Sequence, residues 1–201
     1  PTYIINPGEK SKDLDQVKHA YTWLNSQQAD RFSLLLAVGG GVVCDLAGFA
    51  AATYMRGIPC AYIATSLLAQ VDASVGGKNG LNLNGLKNLI GTFNQPQFVI
   101  CDTSFLATLP HEEWLNGMSE HIKHAIIGNA NLLSDIEQIS WPEIKEKFIS
   151  DNQTLYESVQ IKTQIVNADE KEQGKRRLLN LGHTLGHAVE TDTGLPHGQA
   201  V

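Results

Sequence analysis

Short apolar runs alternate with helical segments through the first half of the chain. Three runs, at residues 34–38, 61–63 and 98–101, are continuously apolar. Such runs are typical of strands that are buried on both faces of a parallel sheet. The segments between them, residues 42–54 and 66–71, have the composition of helices. Strands that alternate with helices predict a parallel α/β unit.

Two further patterns flank the strand–helix units of this half. Residues 2–5 have the β-branched and aromatic composition of a strand. Residues 76–85 are rich in glycine and asparagine, so we expect a loop there. A helix is predicted from Ser11, a possible N-cap, because apolar residues then recur at helical spacing, at Leu14, Val17, Tyr21 and Leu24.

The strand patterns stop after residue 109. All later periodic segments are helical, at residues 112–127, 132–139, 144–166 and 177–190. We therefore expect an α/β domain over residues 1–109 and an all-helical domain over residues 110–201. No internal repeat or low-complexity linker separates them.

Composition narrows the classes of partner. The 201 residues, 42% of them hydrophobic, can bury a sizeable core. A formal net charge of −6 favours neither nucleic acid nor an anionic membrane surface. An anionic substrate therefore requires a local cluster of cations.

Cysteine usage and hydropathy indicate a compartment. Cys44, Cys60 and Cys101 lie in apolar contexts without metal-ligand spacing. We interpret them as buried free thiols of a reducing compartment. No apolar run approaches the about 18 residues of a membrane span, and no basic segment precedes one as in a signal peptide. These patterns predict a soluble, cytoplasmic protein.

Glycines follow the first predicted strand. Gly39, Gly40 and Gly41 stand between that strand and a helix, where backbone N–H groups can approach a pyrophosphate. The spacing is neither G-x-G-x-x-G nor a P-loop, so a plain tight turn is the alternative. Asp45 lies one turn into the helix, where a carboxylate can complement the dipole or accept a hydrogen bond from a ribose or nicotinamide.

Charged side chains have both a functional and an ordinary interpretation. Lys78 and Lys87 stand in glycine-permitted segments and could meet phosphate or carboxylate, or could be solvated. Glu120 and Lys123 are spaced i, i+3 on a predicted helix, where a carboxylate usually faces solvent. A solvated charge run is the ordinary interpretation of Lys162, Glu172, Arg176 and Arg177.

Histidines near the end of the chain suggest a metal site. His183 and His187 are four residues apart, so on a helix they share one face. His197 follows a Thr-Gly-Leu-Pro break that can turn the chain back toward that face. Zinc-like metals prefer such imidazole ligands, although capping or core histidines are the alternative.

Taken together, the spaced motifs resemble the 3-dehydroquinate synthase family of sugar-phosphate cyclases. The resemblance runs in order through nearly the whole chain. Its motifs are Gly8-Glu9-x-x-Lys12, Gly39-Gly40-Gly41-Val42-x-x-Asp45, the run from Leu67 to Lys78, Gly85-x-Lys87-Asn88-Leu89-Ile90-Gly91, Gly117-Met118-Ser119-Glu120-x-Ile122-Lys123 and Leu179-Asn180-x-Gly182-His183-Thr184-x-Gly186-His187-Ala188-x-Glu190.

The resemblance implies a Rossmann-like NAD domain over residues 1–109 and a helical metal- and substrate-binding domain over residues 110–201. A divalent metal, zinc or cobalt, is implied at Glu120, His183 and His197. NAD is implied at Gly8, Glu9, Lys12, Gly40, Gly41, Val42, Asp45, Thr65, Ser66, Lys78, Lys87, Phe105 and Thr108. The residues implied around the substrate are Asp72, Lys78, Lys87, Asn88, Lys123, Lys162, Arg176, Asn180 and His187.

The implied reaction is NAD-dependent loss of phosphate from a seven-carbon keto-acid phosphate, with closure of a carbocycle. His187 is a candidate for proton handling. Arg56 is implied to reach a neighbouring subunit, and hence a homodimer. The alternatives are another sugar-phosphate cyclase of the inosose type, a metal-dependent NAD polyol dehydrogenase and a non-catalytic fragment.

The sequence departs from the family pattern in three ways. Ser66 follows Thr65 where many members have two threonines. Gln199 stands where glutamate is usual, so a carboxylate that would tune the metal is expected to be missing. Family members are longer at both ends, so the resemblance implies that opening strands and closing helices are absent here.

Overall fold

The computed structural model describes residues 1–190 and 192–201 with their side chains, and residue 191 as part of its helix. The chain forms two compact units. Unit 1 comprises residues 1–65 and 77–101, and unit 2 comprises residues 66–76 and 102–201. This division differs from the predicted boundary near residue 109 because residues 66–76 and 102–109 belong to the helical unit.

Unit 1 contains the predicted parallel sheet. Its strands are β1 (Leu35–Gly39), β2 (Cys60–Ala64) and β5 (Val99–Cys101), paired in the order β1-β2-β5. Helix α2 (Gly41–Thr53) covers one face, where Ala37, Cys44, Ala47 and Tyr62 form a core. The α/β prediction is confirmed.

The other face of this sheet is apolar but open. Leu36, Val38 and Ile100 alternate with the covered residues and are 46%, 55% and 46% exposed. The expectation of strands buried on both faces is therefore wrong for β1 and β5 in this chain. Only β2, the central strand, is almost entirely buried.

Helix α1 (Leu14–Ser26) forms as the apolar spacing predicts, but it begins later. Asp13, not Ser11, is the N-cap, and its carboxylate accepts a hydrogen bond from the Gln16 amide at 2.8 Å. The helix buries Val17, Ala20 and Leu24, and the first two pack with residues of α2. Residues 2–5, predicted as a strand, form none.

The segment predicted as a loop, residues 76–85, is mostly a β-hairpin. Strands β3 (Lys78–Leu83) and β4 (Leu86–Phe93) pair antiparallel across Asn84 and Gly85. These two residues have φ values of 53° and 80°, as a type I′ turn requires. The loop prediction was wrong because Asn-Gly permits positive φ at both positions and so marks a hairpin rather than a break.

Unit 2 is helical, with two predicted long helices each divided. The 144–166 segment forms α5 (Trp141–Ser150) and α6 (Asn152–Ala168), because the Asp151 backbone is extended and its side chain caps α6 through the Gln153 amide at 2.9 Å. The 177–190 segment forms a 3-10 turn (Lys175–Asn180) and α7 (His183–Thr193), divided at Gly182 with φ 82°.

The other elements of unit 2 are also helices or helical turns. They are a π-type turn (Ala69–Ala73) near the predicted 66–71 helix, a 3-10 turn (Thr103–Thr108), α3 (His111–Gly128), α4 (Ala130–Gln138) and α8 (His197–Ala200). One apolar cluster includes Ala125 of α3, Leu132 of α4 and Ile161, Ile165 and Val166 of α6. None of the helices in the described part of the chain is long and apolar enough to cross a membrane.

Candidate metal and cofactor sites

Unit 2 brings together the three residues implied as metal ligands. Glu120 of α3 is fully buried, and its Oε1 atom lies 3.5 Å from His183 Nε2 and 3.2 Å from His197 Nε2. The possible ligand atoms of the three residues all lie within 4.8 Å of one another. Two imidazoles and one carboxylate form a donor set typical of catalytic zinc sites. The residues therefore fit a divalent metal.

Tight backbone contacts place these side chains. Asn116 Oδ1 accepts a hydrogen bond from the Gly198 amide at 2.9 Å, which ties α8 to α3. A Cβ atom at Gly198 would lie 2.4 Å from the Asn116 Cα, and one at Gly186 would lie 2.5 Å from Val201. These glycines allow α8 to approach α3 and α7 closely enough for His197 to reach Glu120.

A carboxylate supports His197 from its other nitrogen. Glu190 Oε1 lies 2.5 Å from His197 Nδ1, and Glu190 is buried. The hydrogen bond with Glu120 raises the pKa of His197, with the Glu190 contact adding to it against the effect of burial. Glu190 thus provides a carboxylate that holds the second nitrogen of His197, while Gln199 is exposed.

The two other donors have pKa values lowered by their surroundings. Burial lowers the pKa of His183, which keeps its imidazole in the neutral form that a metal binds. Burial and nearby Asp72 alone would raise the pKa of Glu120, but the hydrogen bond with His197 and the charge of Lys123 outweigh them and lower it. Lys123 is itself buried and ion-paired with Glu120.

A second ion pair lies on the same side of unit 2. Lys162 Nζ lies 2.6 Å from both the carbonyl and the Oδ1 atom of Asp72. Burial alone would raise the pKa of Asp72, but Lys162 and Lys123 hold it well below its ordinary value. Lys162 is buried, so the solvated interpretation is wrong for this residue.

His124 is a neighbour of this pair that the sequence interpretation missed. Its Nδ1 atom lies 2.8 Å from Ser158 Oγ and its Nε2 atom lies 3.6 Å from Asp72 Oδ1. Asp72, Glu120 and His124 form another possible donor group, but both carboxylates are already ion-paired with lysines. The i, i+4 spacing from Glu120 could have placed His124 on the same face of α3.

His187 lies beside the metal-ligand set without belonging to it. Its ring centroid is 5.3 Å from that of His183 and 6.2 Å from that of His197, and its side chain is exposed. With Glu190 and His197 it forms an alternative donor group. A role in proton handling stays a prediction.

The charge run before the histidines is only partly solvated. Arg176 is 1% exposed, and its guanidinium donates to the Gly76 carbonyl at 2.7 Å and the Glu170 carbonyl at 2.5 Å. Burial lowers its pKa. Asn180 is exposed and donates to Glu172 at 2.6 Å, and Arg177 is exposed as the solvated interpretation expects.

Unit 1 holds most of the residues implied in NAD binding. Gly40 caps α2 without a side chain, so Gly41 and Val42 open the helix with backbone amides suited to a phosphate. Asp45 forms an ion pair with buried Lys12. Burial raises the pKa of Asp45, although Lys12 opposes that effect.

The remaining predicted residues are divided between the units. In unit 1, Gly8, Glu9, Lys78, Lys87 and Asn88 are exposed, Arg56 is exposed with φ 67°, and Thr65 donates its amide to the Gly39 carbonyl at 2.9 Å. In unit 2, Ser66 Oγ accepts from the Ala69 amide at 3.3 Å, while Phe105 and Thr108 are exposed. Their contacts with ligands stay predictions.

Comparison with known proteins gives the family. The family model described as 3-dehydroquinate synthase N-terminal matches residues 2–116, and the one described as 3-dehydroquinate synthase C-terminal matches residues 117–201. The chain belongs to the 3-dehydroquinate synthase family. The resemblance read from the spaced motifs is confirmed.

A curated relative within the family is the 3-dehydroquinate synthase of Pyrococcus furiosus. It is 47% identical over 203 residues, which cover 100% of this chain and 59% of the relative. The chain therefore spans little more than half the length of this 3-dehydroquinate synthase.

Solved structures of related cyclases share the fold. The 2-epi-5-epi-valiolone synthase ValA of Streptomyces hygroscopicus, with NAD+ and Zn2+ bound, has a TM-score of 0.90 at 30% identity, over 98% of this chain and 56% of its own. A 2-deoxy-scyllo-inosose synthase, complexed with carbaglucose-6-phosphate, NAD+ and Co2+, has a TM-score of 0.80 at 30% identity, over 97% of this chain and 54% of its own. The prediction of this fold class is confirmed.

Proposed function

We propose that this chain carries the machinery of a 3-dehydroquinate synthase, a lyase that converts 3-deoxy-D-arabino-heptulosonate 7-phosphate to 3-dehydroquinate and phosphate. The observation that carries the proposal is the donor set of Glu120, His183 and His197 beside the buried cations Lys123 and Lys162. A metal site next to buried cations suits a substrate with an alcohol to be oxidised and anionic groups to be held.

NAD and a divalent zinc or cobalt ion are the proposed cofactors. Glu120, His183 and His197 would hold the metal, and the N-terminus of α2 with Glu9, Lys12 and Asp45 would bind NAD. Related cyclases with NAD+ and Zn2+ or Co2+ support this choice. When bound, the metal would supply polarisation of a substrate hydroxyl and NAD would supply reversible hydride acceptance without net formation of NADH.

The chain's own residues supply binding, orientation and proton transfer. Lys123 and Lys162 are ammonium groups that can compensate phosphate and carboxylate charge in a dry environment. Asp72 holds Lys162 in place through its side chain and carbonyl. Exposed His187, whose ring lies beside that of His183, would exchange protons with substrate or water. A homodimer involving Arg56 and a cytoplasmic location stay predictions.

The test is phosphate release from the keto-acid phosphate by the 201-residue protein with NAD and zinc added. We expect one phosphate per dehydroquinate and no net NADH. Equal turnover of a hexose 6-phosphate would favour an inosose-type cyclase, because that substrate lacks the carboxylate. Stoichiometric NADH would favour a polyol dehydrogenase. Protein that binds zinc and NAD without releasing phosphate would contradict the lyase activity of this chain.

A further inference from the structure

The β3–β4 hairpin of unit 1 contains a bulge at Lys87 and Asn88, two of the residues implied to meet the substrate. Leu81 pairs with Ile90, and Leu83 pairs with Leu86. One residue of β3, Asn82, therefore faces three residues of β4, at positions 87–89. Bulges of this kind re-aim side chains and are common next to active sites.

Asn88, at the centre of the bulge, has a left-handed backbone with φ 53°. Asparagine tolerates this conformation better than most residues, but surrounding contacts must still hold it. The Asn88 amide lies outside the pairing of β3 with β4. That amide donates instead to the side-chain oxygen Oδ1 of Asn82 at 3.0 Å.

The other atoms of Asn82 face the turn that carries Glu9 and Lys12. Its Nδ2 donates to Glu9 Oε1 at 2.8 Å, and its backbone amide donates to the Lys12 carbonyl at 2.7 Å. One residue therefore contacts the bulge through its amide oxygen and the turn through its two nitrogens.

The network closes through Lys12. Its ammonium donates to Asn88 Oδ1 at 2.6 Å and forms an ion pair with Asp45. Lys12 is 5% exposed, so this charge depends on its partners. Glu9, Lys12, Asp45 and Asn88, all implied in ligand binding, thus belong to one network, in which Asn82, a residue to which no role is assigned, links Glu9 with Asn88.

We propose that Asn82 is a positioning residue that fixes the Asn88 bulge and the Glu9–Lys12 turn in their binding geometry. Its part in binding rests on the proposed function, whereas its part in holding the bulge does not. An asparagine suits the position because it needs one acceptor, toward the Asn88 amide, and one donor, toward the Glu9 carboxylate. Aspartate would keep the acceptor and lose the donor.

The first experiment measures hydrogen exchange of the Asn88 amide by NMR in the whole protein. We expect Asn82→Ala to speed exchange by about tenfold, the effect of one lost hydrogen bond. Asn82→Asp keeps the acceptor and should leave the exchange rate near that of the wild type. Asn84→Gly is the matched control, because it removes a side-chain amide from the same hairpin. Residue 84 has a φ of 53°, which glycine tolerates. Unchanged protection in Asn82→Ala would overturn the proposal.

The second experiment measures the affinity for NAD by calorimetry. Asn82→Asp places a carboxylate against Glu9, so we expect the Kd to rise by roughly tenfold. Glu9→Gln is measured by itself for its own effect on NAD binding, and in that background the amide of residue 9 can donate to residue 82, so Asn82→Asp should raise the Kd much less than it does in the wild type. Purely additive effects would show that the contact does not position the turn. Wild-type protein without affinity for NAD would contradict the proposed function, while exchange at Asn88 would still decide the role of Asn82 in the bulge.

Discussion

The Nδ1 atom of His197 lies 2.5 Å from the Oε1 atom of Glu190, seven positions earlier in the chain. His197 can thus direct its Nε2 atom toward Glu120 while its other nitrogen is held by a buried carboxylate. Such a contact fixes the orientation of the ring and raises the basicity of a metal ligand. Gln199 takes no part in this contact.

Glu190→Gln should weaken zinc binding by about 10–100-fold, because the imidazole loses its charged partner but keeps its position. Competition with a chromogenic zinc chelator measures this change. Gln199→Ala is the control and should leave the zinc Kd unchanged. Equal losses in the two variants would contradict the role of Glu190.

His183→Ala should abolish stoichiometric zinc binding and phosphate release, because it removes one of three proposed protein ligands. The circular dichroism spectrum should stay that of the folded protein. His187→Ala is the matched variant, since its ring lies 5.3 Å from that of His183 but belongs to the alternative donor group. Metal content after dialysis distinguishes the two groups. Zinc lost in His187→Ala and kept in His183→Ala would assign the site to His187, Glu190 and His197.

Lys162→Met should destabilise unit 2 by about 3 kcal/mol, because breaking a buried ion pair leaves a poorly compensated charge on Asp72. Asp72→Asn together with Lys162→Met should cost less than the sum of the single changes. Urea unfolding measures both free energies. Lys171→Met, at an exposed lysine of the same unit, is the control. A loss in Lys162→Met no larger than in this control would contradict the pairing.

Asp169 should make the protein sensitive to acid. Its carboxylate accepts from the amides of Arg176, Gln173 and Gly174, at 3.0, 2.9 and 2.7 Å, and these bonds lower its pKa. Because the pKa is lowered in the folded state, the ionised carboxylate stabilises the protein at pH values above its unfolded-state pKa of about 4. This stabilisation is lost as the pH falls through the lower folded pKa.

Asp169→Asn should therefore melt at a lower temperature than the wild type near neutral pH, and the two melting temperatures should converge below about pH 4. Thermal melts across this range test the expectation. Asp135→Asn, at an exposed carboxylate of α4, should melt in parallel with the wild type at each pH. A constant difference between Asp169→Asn and the wild type would show that the charge is not responsible.

Local patterns predicted most helices and the parallel strands, because apolar residues recur at helical spacing in the former and form continuous runs in the latter. The hairpin was also predictable, since Asn84-Gly85 between strands is the dipeptide of a type I′ turn. The break at Asp151 was harder to foresee. The apolar spacing continues across it, and only the preference of aspartate for N-caps marks a new helix.

The candidate site was predicted through its motifs, whereas its burial was not. Lys162 and Arg176 have the sequence context of solvated charges, yet both are buried against partners distant in the chain, Asp72 and the Gly76 carbonyl. Local sequence carries no information about such contacts. Likewise, that Glu190 would support His197 depends on the close packing of α7 and α8.

The Asn84-Gly85 turn bears on the order in which the chain folds. All pairings of β3 with β4 are local, whereas β1, β2 and β5 must meet across long intervening segments. Hairpins form in about 1–10 μs. Parallel pairing is slower, because the entropy of closing a long loop is lost before the strand contacts form. We expect pulse-labelling to find the amides of Leu81 and Ile90 protected before those of β2. The bulge that carries Lys87 and Asn88 would then form before the parallel sheet does. The open apolar face of that sheet would appear only later, so the chain would be most exposed to aggregation after the hairpin has formed.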